Sequence, residues 1–121
     1  MSPPLRQPPS IDAYGGGGFR VSGQRREGSL LIVADEAMSW SAASLDTLTE
    51  ADLGPILDRA PDVEFVLLGT GAVQALPPRA IRDALRAAGI GLEFMDTPTA
   101  ARMYNVLASE GRRLAAALIA I

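Results

Sequence analysis

The chain has 121 residues, enough for one domain with one core, and its 48% apolar and 21% charged residues match an ordinary globular protein. It has no cysteine and no histidine, which removes disulfides, thiol nucleophiles, Cys or His zinc sites and imidazole-based triads. Its eleven basic residues are all arginine against fourteen acids, a net charge of -3 that argues against nucleic acid as a ligand; without lysine there is no Schiff base and no P-loop lysine.

The first ten residues carry four prolines and read as a flexible arm, with the domain running from 11 to 121. The arm has no apolar run, so the sequence predicts neither an export signal nor a span, and a cytoplasmic protein. Short apolar runs at Ile11 to Tyr14, Phe19 to Val21, Ser29 to Val33 and Met38 to Ser41 predict strands separated by Gly15 to Gly18, Ser22 to Gly28 and Ala34 to Ala37.

Beyond them the pattern alternates. Thr49 or Asp52 opens a short helix ending near Arg59, before Pro61. Val63 to Leu68 is a continuous apolar run, the mark of a strand buried on both faces. Pro77 or Pro78 starts a helix through Ala88, with Ile81, Ala84, Leu85 and Ala88 on one face and arginines on the other. Gly91 to Met95 reads as a strand, and Asp96 or Thr97 caps a helix from Pro98 to Glu110, closed by Gly111. Leu114 to Ile121 is a last strand, too short to cross a membrane. The expectation is α/β: three layers, a central mixed sheet, and a β-rich N-terminal part followed by alternating helices and strands, with the two strands around the second helix parallel.

Four blocks of this sequence resemble one known family. They are Ile11 to Phe19 (IDAYGGGGF), Leu67-Leu68-Gly69-Thr70-Gly71, Met95 to Leu107 (MDTPTAARMYNVL) and Glu110-Gly111-Arg112-Arg113. The family is that of small α/β domains which includes the mitochondrial respiratory complex I assembly factor 3 and the adipogenesis-associated domain protein. The resemblance covers Ile11 to Ile121 and implies a three-layer domain with a β-rich flap, no established enzymatic activity in bacterial members, and work on a protein partner in respiratory-complex biogenesis. Lacking an Arg- and Ser-rich presequence, the chain looks like a bacterial member. The family carries over no catalytic residues.

The motifs each admit two readings. Gly15 to Gly18 is a bend or a phosphate cradle, though it lacks nucleotide-loop spacing and no helix follows it. Gly69, Thr70 and Gly71 end one parallel strand, while Asp96 and Thr97 end the next. Their hydroxyls and amides either face a shared crevice, where α/β sheets bind ligands, or simply turn the chain and cap a helix. Arg102 and Asn105, with Ser109, form a polar stripe that is either solvated or reads a partner's backbone or carboxylate. Glu110, Arg112 and Arg113 either satisfy the end of the helix or supply an anion clamp to the crevice. Trp40, flanked by Ser39, Ser41, Ala42 and Ala43, is expected at a rim or groove as an interface anchor, the alternative being a core anchor. No carboxylate pair has a spacing suited to hydrolysis and no metal-binding spacing occurs, so neither catalytic residues nor a cofactor are expected. The leading expectation is a non-enzymatic protein-binding or assembly module. The alternatives are a small-molecule or anion-binding domain, or a weak enzyme, using the crevice near Thr70, Thr97 and Arg112, and a homo-oligomer formed through a sheet edge or helix faces.

Overall fold

Two consecutive glycines with positive φ decide how the N-terminal strands pair. Gly16 (φ 62°) and Gly17 (φ 81°) form the two-residue link of a hairpin between β1 (Ile11–Gly15) and β2 (Gly18–Val21), a turn whose twist matches the strands only when both φ values are positive. A Cβ on Gly18 would lie 2.3 Å from the Arg26 carbonyl oxygen, so β3 (Gln24–Glu27) closes over it. The Arg25 guanidinium donates to the carbonyls of Gly15 and Gly16, each at 3.0 Å, so the glycine run is a bend. β3 falls in the segment expected to be a spacer. All four of its residues are polar, and it is held by backbone pairing to β2 and by the Arg25 bonds to the hairpin turn.

The structure, a computed structural model, describes residues 7–121. The first six residues of the expected arm lie outside the described residues. Order starts upstream of Ile11: the Tyr104 hydroxyl donates to the Pro9 carbonyl at 2.8 Å, and the Ser22 N–H to the Ser10 carbonyl at 2.8 Å.

A second sheet forms the body. β4 (Leu30–Val33) turns through Ala34 and Asp35, both at positive φ, into β5 (Glu36–Ser39), two residues ahead of the expected position. The helix expected from Thr49 to Arg59 is instead a 3-10 turn (Glu50–Leu53), a single α turn, α1 (Gly54–Leu57), and another 3-10 turn (Ala60–Asp62). Pro55 and Pro61 each remove an N–H that a longer helix would need. Then follow β6 (Phe65–Gly69), α2 (Arg79–Ala87), β7 (Gly91–Met95), α3 (Thr97–Ser109) and β8 (Leu114–Leu118).

The sheet order is β5-β4-β8-β6-β7. β6 runs parallel to β7 and β8, whereas β4 is antiparallel to β8 and β5, the mixed sheet expected. One face carries Leu31, Val33, Val66 and Leu68 under Ile56, Ile81 and Leu85 from the α1 and α2 side. The other carries Ile32, Leu67 and Leu118 under Phe19 from the small sheet and Ala100 and Tyr104 from α3. Three layers result.

Trp40 belongs to the first core, not to a rim. It is 5% exposed, and its Nε1–H donates to the Asp52 carbonyl at 2.8 Å. Its small sequence neighbours do not leave it bare, because Leu45, Leu48 and Leu53 share its cluster. The Asp52 carboxylate fastens this segment, accepting from the Ser41 hydroxyl at 2.5 Å and the Thr49 N–H at 2.8 Å. The Ser41 bond, then the Thr49 bond, holds the carboxyl below its ordinary pKa. Truncation of a buried aromatic leaves a cavity, so Trp40→Ala should lose about 3 to 5 kcal/mol in denaturant unfolding. Folded wild type should show blue-shifted tryptophan emission; a loss below about 1 kcal/mol would place the ring outside the core.

Candidate functional site

The C-terminal ends of β6 and β7 form the expected meeting point, and their polar groups are turned inward. Thr97 is fully buried; its Oγ1 accepts from the Gly71 N–H at 3.0 Å and donates to the Ile119 carbonyl at 2.8 Å. The Thr70 hydroxyl donates to the Val73 carbonyl at 2.7 Å and accepts from the Ala75 N–H at 3.2 Å. A Cβ on Gly69 would meet Thr97 Oγ1 at 2.8 Å and a Leu118 methyl at 2.9 Å, so the α3 N-terminus sits directly on the strand. Asp96 caps α3, its carboxylate accepting from the Thr99 N–H and hydroxyl, each at 2.9 Å. The Thr99 backbone bond, then the hydroxyl bond, lowers its pKa. This end of the sheet is a clamp between loops. What it leaves outside is the 72–76 loop, with Val73 71% and Leu76 63% exposed.

The α3 stripe divides. Asn105 reads a backbone, and the backbone belongs to its own chain: its Oδ1 accepts from the Ile11 N–H at 2.9 Å and its Nδ2–H donates to the Ile11 carbonyl at 2.8 Å. The amide thereby replaces a neighbouring strand along β1. Arg102 is exposed, with Nη1 3.4 Å from the Tyr14 hydroxyl and Nη2 3.5 Å from Thr99 Oγ1. Ala101 is buried, while Met103 turns outward at 39% exposure. Val106, 56% exposed, joins it, and with Arg102 and Leu107 they line a shallow groove of about 200 Å³. This apolar strip was not singled out in the sequence. Its signal was the i, i+3, i+4 spacing of Met103, Val106 and Leu107.

Arg112 and Arg113 lie at the other end of the sheet. Both approach Glu64, at 3.5 Å and 3.7 Å, just before β6 begins, and Arg112 also stands 5.2 Å from the Phe65 ring centre. The five residues of β6 separate them from Thr70 by roughly 16 Å at the usual strand rise. The crevice expected to combine Thr70, Thr97 and Arg112 is therefore split, its hydroxyls at one end and its cations at the other. Glu64, rather than the exposed Glu110, takes up the two arginines. Among the described residues, no group of His, Cys, Asp and Glu could hold a metal ion. No helix among them is long and apolar enough to cross a membrane.

These features define a three-layer α/β domain of mixed sheet, with a small antiparallel sheet docked on one face beside a helix. Residues 11–119 match the family described as protein of unknown function (DUF498/DUF598), and the chain belongs to that family. An uncharacterised protein of Rhodobacter capsulatus is 43% identical over 109 residues, 90% of this chain and 82% of that protein. The Bos taurus NADH dehydrogenase (ubiquinone) 1 alpha subcomplex assembly factor 3 is 36% identical over 110 residues; the match takes in 90% of this chain but only 59% of the factor's length. A crystal structure described as an outer membrane protein from Bartonella henselae superposes with a TM-score of 0.86 at 33% identity, covering 93% of this chain and 95% of that one. The family resemblance drawn from the four sequence blocks thus stands.

Asn105→Ala strands the N–H and carbonyl of Ile11, so stability should fall by about 1 to 3 kcal/mol, with faster hydrogen exchange at Ile11; an unchanged Ile11 amide would refute the docking role. A lowered carboxyl pKa stabilises the fold above the ordinary value of 3.8, and that contribution is lost as pH falls through the lowered folded value. Acid titration of wild type and Asp96→Asn should therefore show a stability gap at neutral pH that narrows below pH 3.8; a constant gap would mean that the charge of Asp96 contributes nothing.

Proposed function

We propose that this chain is a non-enzymatic protein-binding module that assists assembly of respiratory membrane complexes, working from the cytoplasm and holding its partner on the outer face of α3. The observation that carries this is the exposed strip of Met103 and Val106 beside Arg102, for large apolar side chains left in water beside a directional cation are characteristic of docking surfaces. The hydroxyls and carboxylates at the ends of β6 and β7 support the same reading, because they are committed to the chain's own backbone and to a helix cap. The relative named as a NADH dehydrogenase assembly factor supports the assembly part of this reading. The anion-binding alternative is weaker, since it needs cations at the end of the sheet opposite to Arg112 and Arg113.

The test is chemical cross-linking and affinity capture from the native cell with wild type and Val106→Asp. A substitution at so exposed a position should change stability by no more than about 0.5 kcal/mol, yet capture of respiratory-complex subunits or their assembly intermediates should drop at least about tenfold, the scale of one interfacial anchor. Equal capture by both proteins would overturn the α3 surface, and capture of no such subunits by wild type would overturn the function.

A further inference from the structure

Next to the α3 strip the sheet ends in β7, which among the described residues pairs on one side only. The Gly91 N–H donates to Glu64 and the Met95 carbonyl accepts from Thr70, so these two residues turn their polar backbone groups inward toward β6. Strand alternation then sends the N–H and C=O groups of Leu92 and Phe94 outward. The side chain of Gln74, from the exposed 72–76 loop, donates to the Phe94 carbonyl at 3.2 Å, placing an amide where the N–H of a further strand would sit.

The edge is only lightly blunted, by the charge of Glu93 and by Gln74 at the Phe94 carbonyl. It contains no proline or lysine, and its central residue, Glu93, is its only charge. It is also flanked by a groove on each face. On the α2 side, Ile90, Leu92 and Phe94 line a hollow of about 340 Å³ beside Arg82 and Arg86. On the α3 side, Phe65, Met103 and Leu107 line another with Glu93 and Arg112, and Met103 and Leu107 make it continuous with the α3 strip.

Charge decides between occupants. A second copy added edge to edge in antiparallel fashion about Glu93 would set Glu93 against Glu93 and bring two arginine-bearing α2 helices side by side, and like charges opposed across strands are destabilising. A foreign strand with acidic side chains on the α2 side would meet Arg82 and Arg86 instead. Arg86 is 79% exposed, and its partner Asp83 stands 3.8 Å away while also facing Arg79, so an incoming carboxylate finds donors on this rim.

We propose that β7 takes an extended acidic segment of a partner protein as a sixth strand, its carboxylates facing Arg82 and Arg86 on the α2 side and its apolar side chains lying in the α3-side groove. Backbone pairing provides the affinity, and the alternating side chains set the choice of partner. This deepens the assembly reading and rests on it for the partner, but it can fail separately.

The test titrates the ¹⁵N-labelled full chain with a synthetic peptide of alternating valine and glutamate, seven residues long with blocked ends, and with its valine-lysine counterpart. The glutamate peptide should shift the Leu92 and Phe94 amides and slow their hydrogen exchange, Arg82→Gln/Arg86→Gln should weaken it by about tenfold, a typical cost for lost charge-assisted contacts, and the lysine peptide should do neither. Unmoved β7 amides, an equal response to both peptides, or sedimentation showing that a second copy already covers the edge would each overturn the proposal. Loss of captured partner in Val106→Asp but not in the double arginine variant would overturn strand addition while leaving the assembly reading intact. If β7 pairs with the acidic peptide but Val106→Asp captures its partners normally, the proposed α3 surface fails and the strand edge stands.

Discussion

One buried hydroxyl joins the three segments on which the larger sheet turns. Thr97 links the Gly71 amide of the loop after β6, the Ile119 carbonyl just past β8 and the first turn of α3. A threonine hydroxyl can donate once and accept, and here both capacities are used where water cannot reach. The arrangement works because Gly69 has no side chain: any Cβ there would collide with Thr97 and Leu118. Where the sheet might have offered a ligand its amides and a helix N-terminus, the chain spends them on holding β6, β8 and α3 together.

The same economy governs the small sheet. It reaches α3 through Asn105, whose amide imitates a strand partner at Ile11, and through the Tyr104 hydroxyl on Pro9. Among the described residues, side-chain amides thus stand in for backbone at Ile11 and, through Gln74, at Phe94. At Ile11 the pairing is two-sided and partly buried; at Phe94 it is single and exposed. That contrast separates a closed junction from an open strand edge.

Much of the architecture was legible in the sequence because apolar continuity and helix punctuation are local signals. The run before Gly69, the Asp96-Thr97-Pro98 start and the Gly111 stop led directly to β6 and α3. β3 was invisible because Gln24, Arg25, Arg26 and Glu27 carry no apolar pattern; only the turn geometry and the partner strand define it. Trp40 was misplaced because its sequence neighbours are small, while the residues that cover it come from positions 45 to 53. The crevice failed for a directional reason: whether a threonine faces outward or a backbone carbonyl cannot be read from its position, and strand length alone carried Arg112 and Arg113 to the far end. Met103 and Val106 show the converse, since apolar spacing marks a helix face without saying whether a core or a partner will cover it.

The strand at the centre of the sheet comes after all its neighbours in chain order. β8 lies between β4 and β6, pairing antiparallel with one and parallel with the other, and its middle residues Ala115, Ala116 and Ala117 are wholly buried. Until residues 114–118 leave the ribosome, the β4–β5 hairpin and the β6–β7 pair have no strand to join them, and Leu31, Leu67 and Leu68 face an unfilled slot. Domains commonly begin folding from the N-terminus as they emerge. This one is obliged to wait, so its synthesis carries a window of exposed, unpaired strand that closes only when the alanine strand slides into the gap.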